Sequence, residues 1–314
     1  MMNLHFVTTC WTKHLPNVAV LANQLAKHYP ESILWIGWID QHVPVDLPAN
    51  CRVVMVEDVF SSQWPLLISR YTQTELLQLS RPFYVRHILE QAEGVVFLAP
   101  ESLILRRLTE LTELSAPAGL LSQWLRPHPD HQFPDSKFNL NYGTYFSGCW
   151  FVRKNAVSNA FLNWWCQNLF ERGGYNTCQG QASDQLWLDL APAMFAGIVP
   201  LRNPDYGIHT GNAFERNGEN AATFHFSGYE YHRQIFANFL TDRPIPTYFK
   251  QAAQQYARQV IEHPLYNQVH KIQPHYGLPD PPLPVSIHHQ KLAEPIRKFT
   301  KWLYSYQPDF LNRR

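Results

Sequence analysis

Within its first 56 residues the chain passes from a short β-rich run to a helical pattern, then to two apolar runs. His5-Phe-Val-Thr-Thr is the opening run, and Leu15 to Tyr29 then sets Val18, Leu21, Leu25 and His28 at helical spacing. Ser32–Ile39 (SILWIGWI) and Arg52–Val56 are continuous apolar runs of the kind buried on both faces of a sheet. This β-α-β-β order predicts an α/β fold with a mostly parallel sheet flanked by helices. Arg81–Glu93 predicts a further helix, with Phe83, Val85, Ile88 and Leu89 apolar and Arg86 four residues before Glu90. It leads into Gly94-Val-Val-Phe-Leu-Ala-Pro-Glu-Ser, a buried strand ending in a polar turn. Ligands of open α/β sheets bind beyond the carboxyl ends of strands, so the turn Ala99–Ser102 is the first place to look for a site.

Residues 126–144 are polar, contain three prolines, and predict a long loop of the kind that is a lid, a binding loop or disordered. Tyr145-Phe-Ser-Gly-Cys-Trp-Phe-Val reads as a strand. Ala156–Arg172 reads as an aromatic-rich helix ended by Gly173-Gly174, with Trp164 and Trp165 as core residues. A helix from Ser183 to Met194 and a strand around Gly197–Leu201 follow.

Charge and proline shift near Arg243. Residues 243–314 hold 10 of the 26 Lys+Arg, 4 of the 25 Asp+Glu and 10 of the 24 prolines. The expected division is a domain at 1–242 and a basic, proline-rich helical extension at 243–314. In that tail, Leu292, Ile296, Phe299 and Leu303 of Lys291–Tyr304 share one helical face, beside Lys291, Arg297, Lys298, Lys301 and Trp302. Such a helix either docks on the protein or lies on an anionic membrane surface.

Several classes are set aside. The apolar runs fall short of a membrane span, and no basic-then-apolar leader opens the chain, which predicts a cytoplasmic protein, with the inner face of a membrane as the other setting. A net charge of +1 argues against nucleic acid as a partner. Cys10, Cys51, Cys149, Cys166 and Cys178 include no C-x-x-C pair and read as free thiols. Neither a phosphate-binding G-x-x-x-x-G-K-[ST] nor G-x-G-x-x-G, G-x-S-x-G or H-E-x-x-H occurs.

Four segments together resemble the GT-A-fold nucleotide-sugar glycosyltransferases, in particular glycosyltransferase family 8 and its bacterial relatives. They are Phe6-Val-Thr-Thr-Cys with the helix after it; Arg81-Pro-Phe-Tyr-Val-Arg-His-Ile-Leu leading to Val95-Val-Phe-Leu-Ala-Pro-Glu-Ser; Tyr145-Phe-Ser-Gly followed by Ser183-Asp-Gln; and Phe224-His-Phe-Ser-Gly-Tyr. They follow the family's order over roughly residues 3–235, and Tyr248–Glu262 resembles a helix found after the core in some bacterial members. The chain departs from the family at its metal-binding D-x-D. Ala99 stands at the first position and Glu101 at the last, a degenerate motif.

The resemblance implies a GT-A-like, Rossmann-type sheet and transfer of a sugar of hexosyltransferase type. The donor would be a nucleotide sugar, uridine-linked (UDP), with retention of configuration. The acceptor would be a glycan, a lipid-linked sugar or a protein. It places Thr8, Thr9 and Cys10 along the nucleotide. Arg81, Ala99, Glu101, Ser147, Gly148, His225 and Gly228 fall along the rest of the donor, and Asp184 and Gln185 by the reacting sugar. Glu101 and His225 would hold a divalent metal, Mn or Mg, or cations among Arg81, Arg86, Arg202 and His209 would replace it. Each residue also has a structural reading: Glu101 as a solvated turn acid, His225 as a satisfied histidine, Ser183-Asp184 as a helix cap, and Ser147-Gly148 as a close backbone approach. The alternative function is a GT-A-fold protein that has lost catalysis and binds a glycan or protein partner.

Overall fold

The computed structural model describes residues 4–41, 47–126, 135–236, 243–281, 295–296, 298–300 and 302–303. Seven strands form the central sheet: β1 (Leu4–Cys10), β2 (Leu34–Trp38), β3 (Cys51–Met55), β4 (Gly94–Leu98), β6 (Ala118–Ser122), β7 (Tyr145–Arg153) and β8 (Ile198–Leu201). Their order is β8-β6-β7-β4-β1-β2-β3. Every pairing is parallel except those of β7, which runs against both β4 and β6. β5 (Ser102–Ile104) leaves the sheet to pair antiparallel with β9 (Thr223–His225). The expected α/β, mostly parallel sheet flanked by helices is what the chain adopts.

Alternation along the strands builds a core on each face. Phe6, Val96 and Phe151 are aligned across β1, β4 and β7 and point to one side; Val7, Phe97 and Trp150 are aligned and point to the other. The first side is covered by α1 (Leu15–His28), which buries Val18, Leu21 and Leu25. The second is covered by α2 (Arg81–Leu89) and α4 (Ala156–Arg172). There Trp165 is fully buried, stacked on Phe161 at 5.4 Å and edge-on to Trp150 at 5.0 Å. Helix α2 approaches the sheet over Gly37, where an added Cβ would lie 2.6 Å from the Tyr84 ring. That close seat fixes the start of α2, and Arg81 with it.

Two segments differ from the sequence reading. The expected loop at 126–144 contains α3 (Asp135–Tyr142), which ends where Asn139 accepts the Gly143 N–H and Gly143 turns to φ 102°. Prolines and polarity masked this short helix; residues 127–134 lie outside the described residues. The helix expected from Ser183 is instead a turn with Ser183 at φ 48°, a short 3-10 segment at Leu186–Asp189 and a single helical turn at Ala191–Met194.

The chain divides into two units, Met1–Leu278 and Pro279–Arg314. The first includes α5 (Thr247–Ile261), whose Phe249, Ala253, Tyr256 and Val260 pack with Phe224, Phe226 and Val20. Residues 243–278 therefore belong to the first unit, because the amphipathic face of α5 needs that third core. In the second unit, residues 295–296, 298–300 and 302–303 are helical, and Ile296, Phe299, Trp302 and Leu303 are exposed. Lys291, Leu292, Arg297, Lys301 and Tyr304 lie outside the described residues. No helix among the described residues is long and apolar enough to cross a membrane.

Candidate active site

Parallel strands β1 and β4 end together at Cys10 and Leu98, and antiparallel β7 begins at the same edge. Three of the expected site segments therefore meet there. Thr8, Thr9 and Cys10 are fully buried; the Thr9 hydroxyl donates to the Leu77 carbonyl at 3.2 Å, and the Thr8 hydroxyl has no partner among the described residues. Burial holds the Cys10 thiol well above its ordinary pKa, with the Cys51, Glu101 and Asp40 charges adding to it. Its side chain is a core residue rather than a nucleophile.

Past β4, the Ala99 N–H donates to the Gly148 carbonyl at 2.8 Å, and the chain turns through Glu101 into β5. The Phe226 N–H donates to the Glu101 carbonyl at 3.0 Å, and His225 lies opposite Ser102 in the β5–β9 pair. Glu101 and His225 are thus neighbours on one ribbon, and Gly228 follows at φ 74°. Burial pushes the Glu101 carboxyl up, while the Arg81 and Lys13 charges pull it back. Burial, with the neighbouring His209 and Arg81, pushes His225 well below its ordinary value, so it is neutral near pH 7. Its Nδ1 has no partner among the described residues.

Arg81 connects the other half of the site. Its Nη1 donates to Ser147 Oγ at 2.9 Å and to Asp184 Oδ2 at 3.0 Å. Burial raises the Asp184 carboxyl, while Arg81 and Ser147 act the other way. Asp184 is further fixed by Trp165, whose indole N–H donates to its backbone carbonyl at 3.1 Å. Gln185 donates through Nε2 to the Tyr142 carbonyl at 2.9 Å, which leaves its Oε1 beside Ser147. Gly148 has a packing role: an added Cβ would lie 2.3 Å from the Phe146 ring. That ring stacks on His209 at 4.8 Å and lies 5.1 Å from His225.

Of the four cations expected to stand in for a metal, Arg81 alone belongs to this cluster. Arg86 donates to Asn163 on α4 and lies over Phe83; Arg202 donates to the Leu125 carbonyl. His209 is held neutral, pushed down to about 3 by burial and by the Arg216 charge.

Sequence reasoning missed the turn between β1 and α1. Trp11 Nε1 donates to His14 Nε2 at 3.0 Å, and His14 Nε2 lies 3.6 Å from Glu101 Oε1. Lys13 Nζ sits 4.5 Å from the centre of the Trp11 ring. Asn17 donates to the Tyr231 and Tyr256 hydroxyls at 2.5 and 2.7 Å. The available signal was position: these residues follow a parallel strand at its carboxyl end, where ligands bind.

The side chains do not fit a divalent metal. Mn or Mg takes several hard oxygen ligands, whereas Ala99 offers none and Glu101 is the one carboxylate of the ribbon. His14 Nε2 already accepts the Trp11 N–H, so its proton lies on Nδ1 and the ring is a donor there. No three His, Cys, Asp or Glu side chains among the described residues converge as a ligand set.

No protein-family model matches the sequence, and no curated protein is similar to it by sequence. Its fold is that of solved GT-A glycosyltransferases. The glycosyltransferase GlyE of Streptococcus pneumoniae is similar with a TM-score of 0.51 and 12% identity, covering 86% of this chain and 65% of that one. The galactosyltransferase LgtC, in complex with donor and acceptor sugar analogs, has a TM-score of 0.48 and 12% identity over 86% of this chain and 97% of its own. A glycosyltransferase involved in glycosylation of the major capsid of PBCV-1 has a TM-score of 0.46 and 9% identity, over 81% and 98%.

Proposed function

We propose that this chain is a glycosyltransferase that moves a sugar from a nucleoside-diphosphate donor, uridine-linked, to a glycan, lipid-linked or protein acceptor. The observation that carries this reading is the Arg81–Ser147–Asp184 cluster at the carboxyl edge of a GT-A-type sheet. The donor lies along the ends of β1 and β4, with its diphosphate near Glu101 and His225 and its sugar against Asp184 and Gln185. Asp184, buried and held by Arg81, keeps a negative charge in fixed orientation beside the anomeric carbon, where an oxocarbenium-like state develops positive charge. Gln185 orients the sugar by hydrogen bonding. Retention of configuration and kinship to family 8 are what the resemblance of the four segments implies. A lipid-linked acceptor would bring the chain to a membrane surface, where the exposed Ile296, Phe299, Trp302 and Leu303 offer apolar contact.

A thermal-shift panel of nucleotide sugars tests the reading, followed by an assay for slow donor hydrolysis. Stabilisation by one nucleotide series together with hydrolysis of its sugar supports transfer. A protein that only binds a glycan or partner shows neither.

A further inference from the structure

Several buried polar atoms around the site have no hydrogen-bond partner among the described residues, Arg81 Nε and His14 Nδ1 among them. Arg81 is nearly buried, and its Nε has no partner among the described residues; Nη1 makes the bonds to Ser147 and Asp184. His14 is buried, and its Nδ1, the nitrogen left to carry the proton when Nε2 accepts from Trp11, is also without a partner among the described residues. Lys13 stands on the same turn, its Nζ 4.5 Å from the centre of the Trp11 ring. A divalent-metal site requires the opposite inventory, with several unpaired oxygens facing one point. A buried N–H without an acceptor costs free energy that an anion can recover.

We propose that the donor's diphosphate is bound without a divalent ion, its charge met by Lys13 and Arg81 and its oxygens hydrogen-bonded by the His14 ring. This rests on the proposed donor class and adds how that donor is held. Lys13 directly precedes His14, whose Nε2 is 3.6 Å from Glu101 Oε1, so its ammonium stands on the turn that faces the single carboxylate and meets an incoming phosphate there, the part a metal plays where two acids are present. Arg81 stays bound to Asp184 and presents its remaining N–H groups, which couples the phosphate side of the cleft to the sugar side. Lys13 carries this function because its ammonium is the cation of the group with no carboxylate bonded to it in the structure's ion pairs among the described residues.

The test is calorimetric titration of the intact chain with UDP, in EDTA and in Mn²⁺. The expected result is binding of comparable strength in both buffers, weakening as salt is raised. Lys13→Ala should weaken UDP binding about tenfold or more in EDTA, as loss of a charge-assisted contact does, and Lys13→Arg should restore most of it. Ala99→Asp should make binding respond to Mn²⁺, because it restores the second carboxylate. Binding that appears only with Mn²⁺, or that ignores Lys13→Ala, overturns the metal-free site and leaves the donor class standing. Failure of UDP and of every other nucleoside diphosphate to bind in either buffer overturns the donor class and the inference together. A circular-dichroism melt of each variant separates lost binding from lost folding.

Discussion

Arg81 and Asp184 lie 103 residues apart in the chain, yet Arg81 Nη1 is 3.0 Å from Asp184 Oδ2, with both side chains buried. The contact ties the start of α2 to the turn that follows Gly174. Removing one partner of a buried pair leaves an uncompensated charge and costs about 3–5 kcal/mol. Arg81→Ala and Asp184→Ala should each lower the unfolding free energy by about that amount in urea titrations. Arg81→Met combined with Asp184→Leu should recover much of the stability while sugar transfer stays lost. A double variant no more stable than the single ones would show that the ion pair is not what those substitutions break.

Gly148 and Phe146 offer a second handle. An added methyl at Gly148 collides with the Phe146 ring at 2.3 Å, and that ring is packed against His209. Gly148→Ala should destabilise by about 1–3 kcal/mol, the usual range for overpacking. Replacing Phe146 with Leu in the Gly148→Ala background should relieve part of that cost, giving a non-additive cycle. Additive effects would mean that the two side chains do not compete for the same space.

The strands were legible because they follow from apolar runs, whereas Arg81, Asp184 and His225 were singled out only by the resemblance of short motifs in order. The pairing of His225 with the Glu101 ribbon was visible only as motif order; the antiparallel β5–β9 pair supplies the geometry. Lys13 and His14 were not legible, since a lysine and a histidine in a turn carry no periodic signal. Their meaning comes from Trp11 and Glu101, which fold brings beside them. The Ser183-Asp184-Gln185 segment looked like a capped helix start, because Ser and Asp favour caps. The positive φ of Ser183 and the tie from Asp184 to Trp165 give it a different shape. Tertiary contacts overrode local propensity at the proposed reacting centre.

Four buried histidines set the acid limb of stability. His5, His14, His209 and His225 are each pushed below the ordinary value of 6.5 by burial, His209 to about 3. Between the folded and unfolded values only the unfolded chain binds the proton, so stability falls as pH drops through 6.5. For His209 the loss by pH 5 is about 2 kcal/mol. Glu101 and Asp184, raised by burial, act in the opposite direction, since their folded forms hold protons more readily at low pH. The expected net result is a falling Tm from pH 7 to 5, with a shallower fall in His209→Gln. Equal slopes for the two proteins would count against a buried neutral His209.

Asp40 joins the same β1–α1 turn to a distant segment of the chain. Its buried carboxylate accepts the Thr12 N–H at 3.2 Å, the Thr12 hydroxyl and His275 Nδ1. The segment around His275 is held further by Tyr276, edge-on to Trp64 at 5.3 Å, and by the Leu278 carbonyl, which accepts the Gln73 N–H at 2.9 Å. Burial alone would raise the Asp40 carboxyl, but the hydrogen bonds from Thr12 and His275 outweigh it and hold it below 3.8. Its contribution is therefore present above pH 3.8 and is lost as pH falls through the lower folded value. Asp40→Ala removes the acceptor for two elements at once and should cost about 3 kcal/mol, as loss of bonds to a charged group does. Asp40→Asn keeps one acceptor oxygen and should cost less. The local consequence is release of the His275–Leu278 segment, so chymotrypsin should cut at Tyr276 faster in Asp40→Ala than in the parent at a temperature where both remain folded. Unchanged cleavage at Tyr276 in a destabilised Asp40→Ala protein would mean that the carboxylate supports only the β1–α1 turn, and that Tyr276 and Leu278 hold the segment without it.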